Sequence, residues 1–172
     1  YAVASRGGDF SYVYPSVEYR WSPERAMKEF NTPLAVDIHA ISGKGALIKR
    51  VMIVGSVLDC LGLCKVPSMS LLDHFDLELE TALTIALTDL SLDARTLFKI
   101  GERVLTLERL FNVKHGASHD DDTLPPMFLE NGSSEQNPVP LEPMVQDFYK
   151  AMGWDEEGRP LGGTVQDLEL ET

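Results

Sequence analysis

Asp59-Cys60-Leu61-Gly62-Leu63-Cys64 closes a long apolar run and sets a carboxylate, a glycine and two thiols within one or two helical turns. A thiolate is soft and anionic and binds iron–sulfur clusters well. Cys64 falls just past the expected helix end, where the backbone can turn its sulfur toward such a cluster. Gly62 has no side chain, so a bulky group can lie against the main chain there. Asp59 offers two acceptor oxygens that can take paired N–H bonds from the edge of an amino-pyrimidinone ring, as carboxylates pair with guanidinium. A plainer reading stands beside this one. Two cysteines four apart on an apolar helix are commonly small buried hydrophobes, and an Asp near a helix end is commonly solvated. One cysteine cannot complete a cluster that takes about four ligands, so the remaining thiolates would have to come from outside this chain.

The elements that must position these residues read as helices. Ser22-Pro23-Glu24 starts one, with a capping hydroxyl, proline in the first turn and an acid at the positive dipole end. It runs to about Phe30 and stops at Asn31-Thr32-Pro33. Gly43-Lys44-Gly45 opens a second, with Leu47, Val51, Val54, Leu58 and Leu61 at helical spacing. Ile48, Met52 and Ile53 widen that face, so the helix is expected to be largely buried, and Gly62 is placed to end it. Val66-Pro67-Ser68 reads as a break, 69–75 as a short helix, and 77–89 as another with Leu79, Leu83 and Leu87 on one stripe. Ser91 is placed to cap the longest helix, about 92–113. Its expected core face is Leu97, Ile100, Val104, Leu107, Leu110 and Phe111, and Lys114-His115-Gly116 ends it. A final amphipathic helix, about 141–152, turns Met144, Val145, Phe148, Tyr149 and Met152 inward, with Gly153 as its stop and Trp154 anchoring the turn. Residues 164–170 add a short last helix. No strand alternation and no internal repeat appears. The fold class is all-α, an irregular multi-helix domain.

The domain layout follows: an ordered loop over 1–22, a helical core over 23–116 holding the motif, a loop over 117–140, and a helical tail over 141–172. The 172 residues can bury roughly 70% of their unfolded surface. A composition of 44% hydrophobic and 24% charged residues is that of a soluble globular protein. No apolar stretch is long enough and charge-free enough to span a membrane. A net charge of −12 argues against nucleic acid as the main partner, because phosphate binding needs clustered Lys and Arg. Two cysteines make no disulfide framework, and the cytoplasm is the expected compartment. The chain opens at Tyr1, and is expected to be a piece of a longer polypeptide.

Asp59-x-x-Gly62-Leu63-Cys64 resembles the D-x-x-G-L-C motif of the aldehyde:ferredoxin oxidoreductase superfamily of tungsten enzymes. Gly101-Glu102-Arg103, Leu107-Glu108-Arg109-Leu110-Phe111-Asn112 and Asp121-Asp122-Thr123-Leu124-Pro125-Pro126 resemble that family's C-terminal region in order and spacing. So does Gly153-Trp154-Asp155 with Gly158 and Pro160, and the likeness covers nearly the whole chain. The resemblance implies a tungsten bis-pterin and a [4Fe–4S] cluster. It makes Asp59 a pterin ligand and Cys64 the last cluster ligand, with Leu63 and Lys65 touching pterin through their backbone beside Gly62. Cys60 matches no ligand position and is expected to pack. The Glu102-Arg103 and Glu108-Arg109 pairs read as a structural or interdomain ion-pair face, and Asp120-Asp121-Asp122 as solvated or capping. Catalytic residues are not assigned.

The chain departs from that family's pattern in lacking the other three cluster cysteines, the second pterin motif and the β-rich pterin-binding domain. The implied partners are therefore the N-terminal domains of the same enzyme, and ferredoxin or an iron–sulfur electron-transfer subunit. Aldehyde-oxidising members tend to carry a His soon after an Arg-Gly pair in the opening loop, where this chain has Arg6-Gly7-Gly8-Asp9-Phe10. That opening, with Gly43-Lys44-Gly45-Ala46, looks closer to the active-site subunit of class II benzoyl-coenzyme A reductase, a tungsten enzyme of strict anaerobes. The expected substrate is accordingly an aromatic acyl-coenzyme A, with an aldehyde as the alternative. A non-catalytic helical interaction module is the reading from another class.

Overall fold

A computed structural model describes residues 1–7, 13, 16–71, 75–130 and 138–170. The described residues are helical and contain no strand; Trp154 and Pro160 form a single isolated antiparallel bridge. None of the described helices is long and apolar enough to cross a membrane.

After a 3-10 turn at Ser16–Tyr19, α1 spans Pro23–Phe30. The Ser22 hydroxyl accepts from the Arg25 amide at 3.3 Å, and Asn31 closes the helix in the left-handed conformation at φ 57°. A 3-10 turn at Pro33–Val36 leads to α2, Lys44–Cys60, the axis of the fold. One side of α2 meets Val17, Trp21, Ala26, Val36, Phe75, Leu77 and Leu97 through Leu47, Val51, Val54, Val57 and Leu58. Its other side brings Met52 and Ile53 against Leu105, Val145, Phe148, Tyr149, Met152 and Trp154. The expectation of a largely buried second helix therefore holds. Burying side chains of this size contributes roughly 1.5–3 kcal/mol each, so α2 is where most of the packing energy is gathered.

A π-helical turn at Val66–Leu71 follows, then α3 at Glu78–Thr88 and α4 at Ala94–Lys114. The 66–68 break thus starts a helical turn instead, with Pro67 in its first turn where a missing N–H costs nothing. Of the short helix expected over 69–75, residues 72–74 lie outside the described residues. The cap of α4 is Asp93, not Ser91: its carboxylate accepts from the Thr96 amide at 2.7 Å. Hydrogen bonds from the Thr96 hydroxyl and amide hold the Asp93 carboxyl below the usual range.

Two helix faces differ from the sequence reading. Leu79, Leu83 and Leu87 of α3 all point to solvent, and Leu87 is 83% exposed. Leu77, buried with φ 59°, sets the phase of α3, and Glu80, Thr81 and Thr84 follow it inward at three, four and seven positions. The threonines suit this because their hydroxyls bond to carbonyls one turn back, Thr81 to Leu77 at 2.6 Å and Thr84 to Glu80 at 2.7 Å. In α4 the buried row is Leu97, Gly101, Leu105 and Arg109, while Leu107 and Phe111 are 53% and 59% exposed. Gly101 decides this. A Cβ there would lie 2.8 Å from the Ile53 carbonyl, so only glycine lets α4 approach α2 on that side.

Within the 117–140 loop lie a 3-10 turn at His119–Asp121 and the one-turn helix α5, Pro126–Leu129; residues 131–137 are outside the described set. Helix α6, Leu141–Met152, buries Val145, Phe148, Tyr149 and Met152, and Gly153 ends it at φ 72°. Helix α7 spans Gly162–Asp167.

Candidate functional site

Asp59 and Cys60 are the last two residues of α2, and the turn after them is a Schellman motif. The Leu63 amide donates to the Leu58 carbonyl at 2.8 Å and the Gly62 amide to the Asp59 carbonyl at 3.1 Å. Gly62 takes φ +68° to make this possible. Val57 and Leu58 anchor the turn in the core, whereas Asp59, Cys60, Gly62, Leu63 and Cys64 are exposed. A Cβ built on Gly62 meets nothing within 4 Å, so that stretch of backbone lies open to approach.

The Asp59 carboxylate sits at the negative end of the α2 dipole, where an anion is disfavoured. Two cations offset this. Lys65 Nζ lies 2.8 Å from Asp59 Oδ2, and Arg6 NH2 lies 3.5 Å from the same oxygen. Lys65 reaches back from where the chain re-enters helix, and its side chain is only 14% exposed against 44% for Asp59.

All five residues singled out in the sequence, Asp59, Gly62, Leu63, Cys64 and Lys65, therefore share one surface turn. Cys60 does not pack as expected. It is exposed and free, as is Cys64, because the buried face of α2 ends at Leu58 and the next residues rotate outward. Arg6 was not singled out by the sequence reading, and only its place in the opening Arg-Gly pair marked it. Among the described residues no group of three or more His, Cys, Asp or Glu side chains could hold a metal.

The acidic loop divides its roles. Asp121 forms a capping box with Ser118, as a capping reading allows. Asp122 instead turns inward, which corrects the solvated reading: it pairs with Arg109 NH2 at 2.8 Å and accepts from the Tyr149 hydroxyl. Of the ion-pair face expected on α4, Glu102 pairs with Lys49 at 2.6 Å, Glu108 accepts from the Ser5 hydroxyl at 2.7 Å, and Arg109 turns inward instead to the buried Asp122.

The family model described as aldehyde ferredoxin oxidoreductase, domains 2 & 3, matches residues 1–170. The chain belongs to the aldehyde ferredoxin oxidoreductase family. It is 34% identical to the tungsten-containing aldehyde ferredoxin oxidoreductase of Pyrococcus horikoshii over 99% of its own length and 27% of that protein. Likeness to the enzyme of the same name from Pyrococcus furiosus is also 34%, over the same shares, and to that of Thermococcus kodakarensis 32%, over 92% and 25%. The chain thus spans about a quarter of the length of these relatives.

The residues present fit the groups that this family implies. The turn carries two exposed thiols, and Cys64, the one past the reversal at Gly62, suits a single ligand of a cluster completed elsewhere. The turn also holds a carboxylate paired with Lys65 beside open glycine backbone, which suits a planar hydrogen-bonding ring.

Proposed function

We propose that this chain provides the helical part of a tungsten bis-pterin, iron–sulfur oxidoreductase, with Asp59 binding one pterin and Cys64 one iron of a [4Fe–4S] cluster. The observation that carries this reading is that the Asp59 carboxylate and the Cys64 thiol are both exposed, on either side of the left-handed turn at Gly62. When bound, tungsten and the cluster supply redox chemistry that no side chain offers. The chain's own residues supply position and field. The open backbone at Gly62 would admit the ring with Leu63 and Lys65 beside it, and the C-terminal end of α2 puts partial negative charge on the turn that leads to Cys64. That charge disfavours adding an electron there and so favours a low potential.

The whole enzyme, on this reading, oxidises aldehydes to carboxylates and passes electrons to ferredoxin, in line with its relatives' name of aldehyde ferredoxin oxidoreductase. A benzoyl-coenzyme A reductase-like activity is the second reading. It is favoured by the opening Arg6-Gly7-Gly8-Asp9-Phe10, of which residues 8–10 lie outside the described set. The partners are the remaining domains of the longer enzyme, which would cover the apolar groove lined by Arg6, Val104, Leu107 and Phe111. Two free thiols suit a reducing compartment such as the cytoplasm.

Metal analysis and assay of the intact enzyme test this. Tungsten and iron in the purified protein, with turnover of aldehydes, are expected. Turnover of aryl-coenzyme A esters alone would move the substrate to the second reading, and absence of both metals would leave a helical interaction module.

A further inference from the structure

We propose that Lys65 is a positioning residue for the pterin, acting through Asp59; this rests on the tungstopterin reading above. Asp59 needs to be ionised and fixed in orientation to accept two N–H bonds from the edge of an amino-pyrimidinone ring. The end of α2 works against both, since its dipole disfavours the anion and the terminal turn is exposed. Lys65 offsets both. Its ammonium holds Oδ2 at 2.8 Å, and its own side chain is far more buried than that of Asp59. Less water around the ammonium means less screening of the pair.

The nearest approach of each cation is to the same oxygen, Oδ2, and this restricts how the carboxylate can turn. Arg6 lies further off, at 3.5 Å, and is half exposed, so it is the weaker of the two. Because the Asp59 end stays 44% exposed, the pair adds little to folding; the low exposure of Lys65 serves to hold the carboxylate. The Schellman turn explains why position 65 can do this: the reversal at Gly62 carries the chain back past the helix end.

The experiment uses the intact enzyme carrying Lys65→Met, Lys65→Arg, Asp59→Asn, and Lys65→Met with Asp59→Asn. Pterin released per polypeptide is read by fluorescence, and tungsten and iron by elemental analysis, after exhaustive dialysis. Lys65→Met is expected to lower retained pterin and tungsten about tenfold, the scale on which outer partners of ligands act. Iron should stay at the wild-type level, which also reports an intact fold. Lys65→Arg should retain pterin, and Lys65→Met should add nothing once Asp59 is Asn. The proposal is overturned if Lys65→Met keeps wild-type pterin, if Lys65→Arg loses as much as Lys65→Met, or if the losses at 59 and 65 simply add. A wild-type enzyme without pterin would instead overturn the tungstopterin reading, and this inference with it.

Discussion

Arg109 of α4 and Asp122 close an ion pair at 2.8 Å inside the protein, with side chains 6% and 7% exposed. Arg109 also donates through Nε to the Gly158 carbonyl at 2.7 Å, and its guanidinium lies over the Trp154 and Tyr149 rings. One side chain therefore ties α4 to the 119–122 turn, to α6 and to the turn after it. Removing one partner of a buried pair strands the other charge, at a cost of about 3–5 kcal/mol. Asp122→Ala should lower stability on that scale in denaturant unfolding, and Arg109→Met similarly. The double variant should lose less than the sum, because neither charge is then left alone. A loss below about 1 kcal/mol for Asp122→Ala, the range of exposed pairs, would contradict the buried-pair account.

Tyr149 gives the same cluster a pH signature. Burial, then the hydrogen bond to Asp122 and the charge of that carboxylate, push its phenol well above the ordinary tyrosine value of 10.0. The sign follows from linkage: the folded state keeps the phenol proton where the unfolded chain releases it. This contribution is complete below about pH 10 and is lost as pH rises from there toward the higher folded value. Tyr149→Phe should flatten the alkaline fall of stability measured in that window. An unchanged slope in the variant would mean that another group titrates.

Two glycines separate conformational from steric need. Gly45 sits where α2 crosses α6, and a Cβ there would lie 2.2 Å from the Asp147 carbonyl oxygen. Backbone cannot yield as a side chain can, so Gly45→Ala should cost roughly 3 kcal/mol and be seen as a lower melting temperature. Gly62 has open space around it but a positive φ. Gly62→Ala should cost only about 1–2 kcal/mol, from the left-handed backbone alone. Equal effects at the two sites would refute the distinction.

Helix positions were legible in the sequence because caps and stops are local. Ser22-Pro23, Gly43, Gly62, Gly116 and Gly153 act within a few residues of themselves, and the start of α1, both ends of α2 and the ends of α4 and α6 fall at or beside them. The facing of α3 and α4 was not legible. Apolar spacing marks Leu79, Leu83, Leu87, Leu107 and Phe111 as a core, and these residues are exposed instead. In each helix a nonlocal contact overrides the pattern: the buried Leu77 that sets α3, and the glycine at 101 that admits α2. The five residues of the turn were legible since they lie within seven positions. Arg6 and Asp122 were not, because their partners are far along the chain.

The two cysteines at the end of α2 offer the sharpest test of the site. Both are exposed and free, so accessibility does not distinguish them. Position does. Cys60 is still helical, fixed to the exit face of α2, whereas Cys64 lies beyond the reversal at Gly62, where the chain leaves the helix axis. A cluster ligand must meet three thiolates borne by other polypeptide, and the residue past the turn is the one free of the α2 backbone ladder. In the intact enzyme, Cys64→Ser should lower iron content and bleach the cluster's visible absorption, because a serine oxygen is a poorer ligand for soft iron–sulfur chemistry. Cys60→Ser should leave both near wild type. Equal iron loss in the two variants would show that the reversal at Gly62 does not select the ligand.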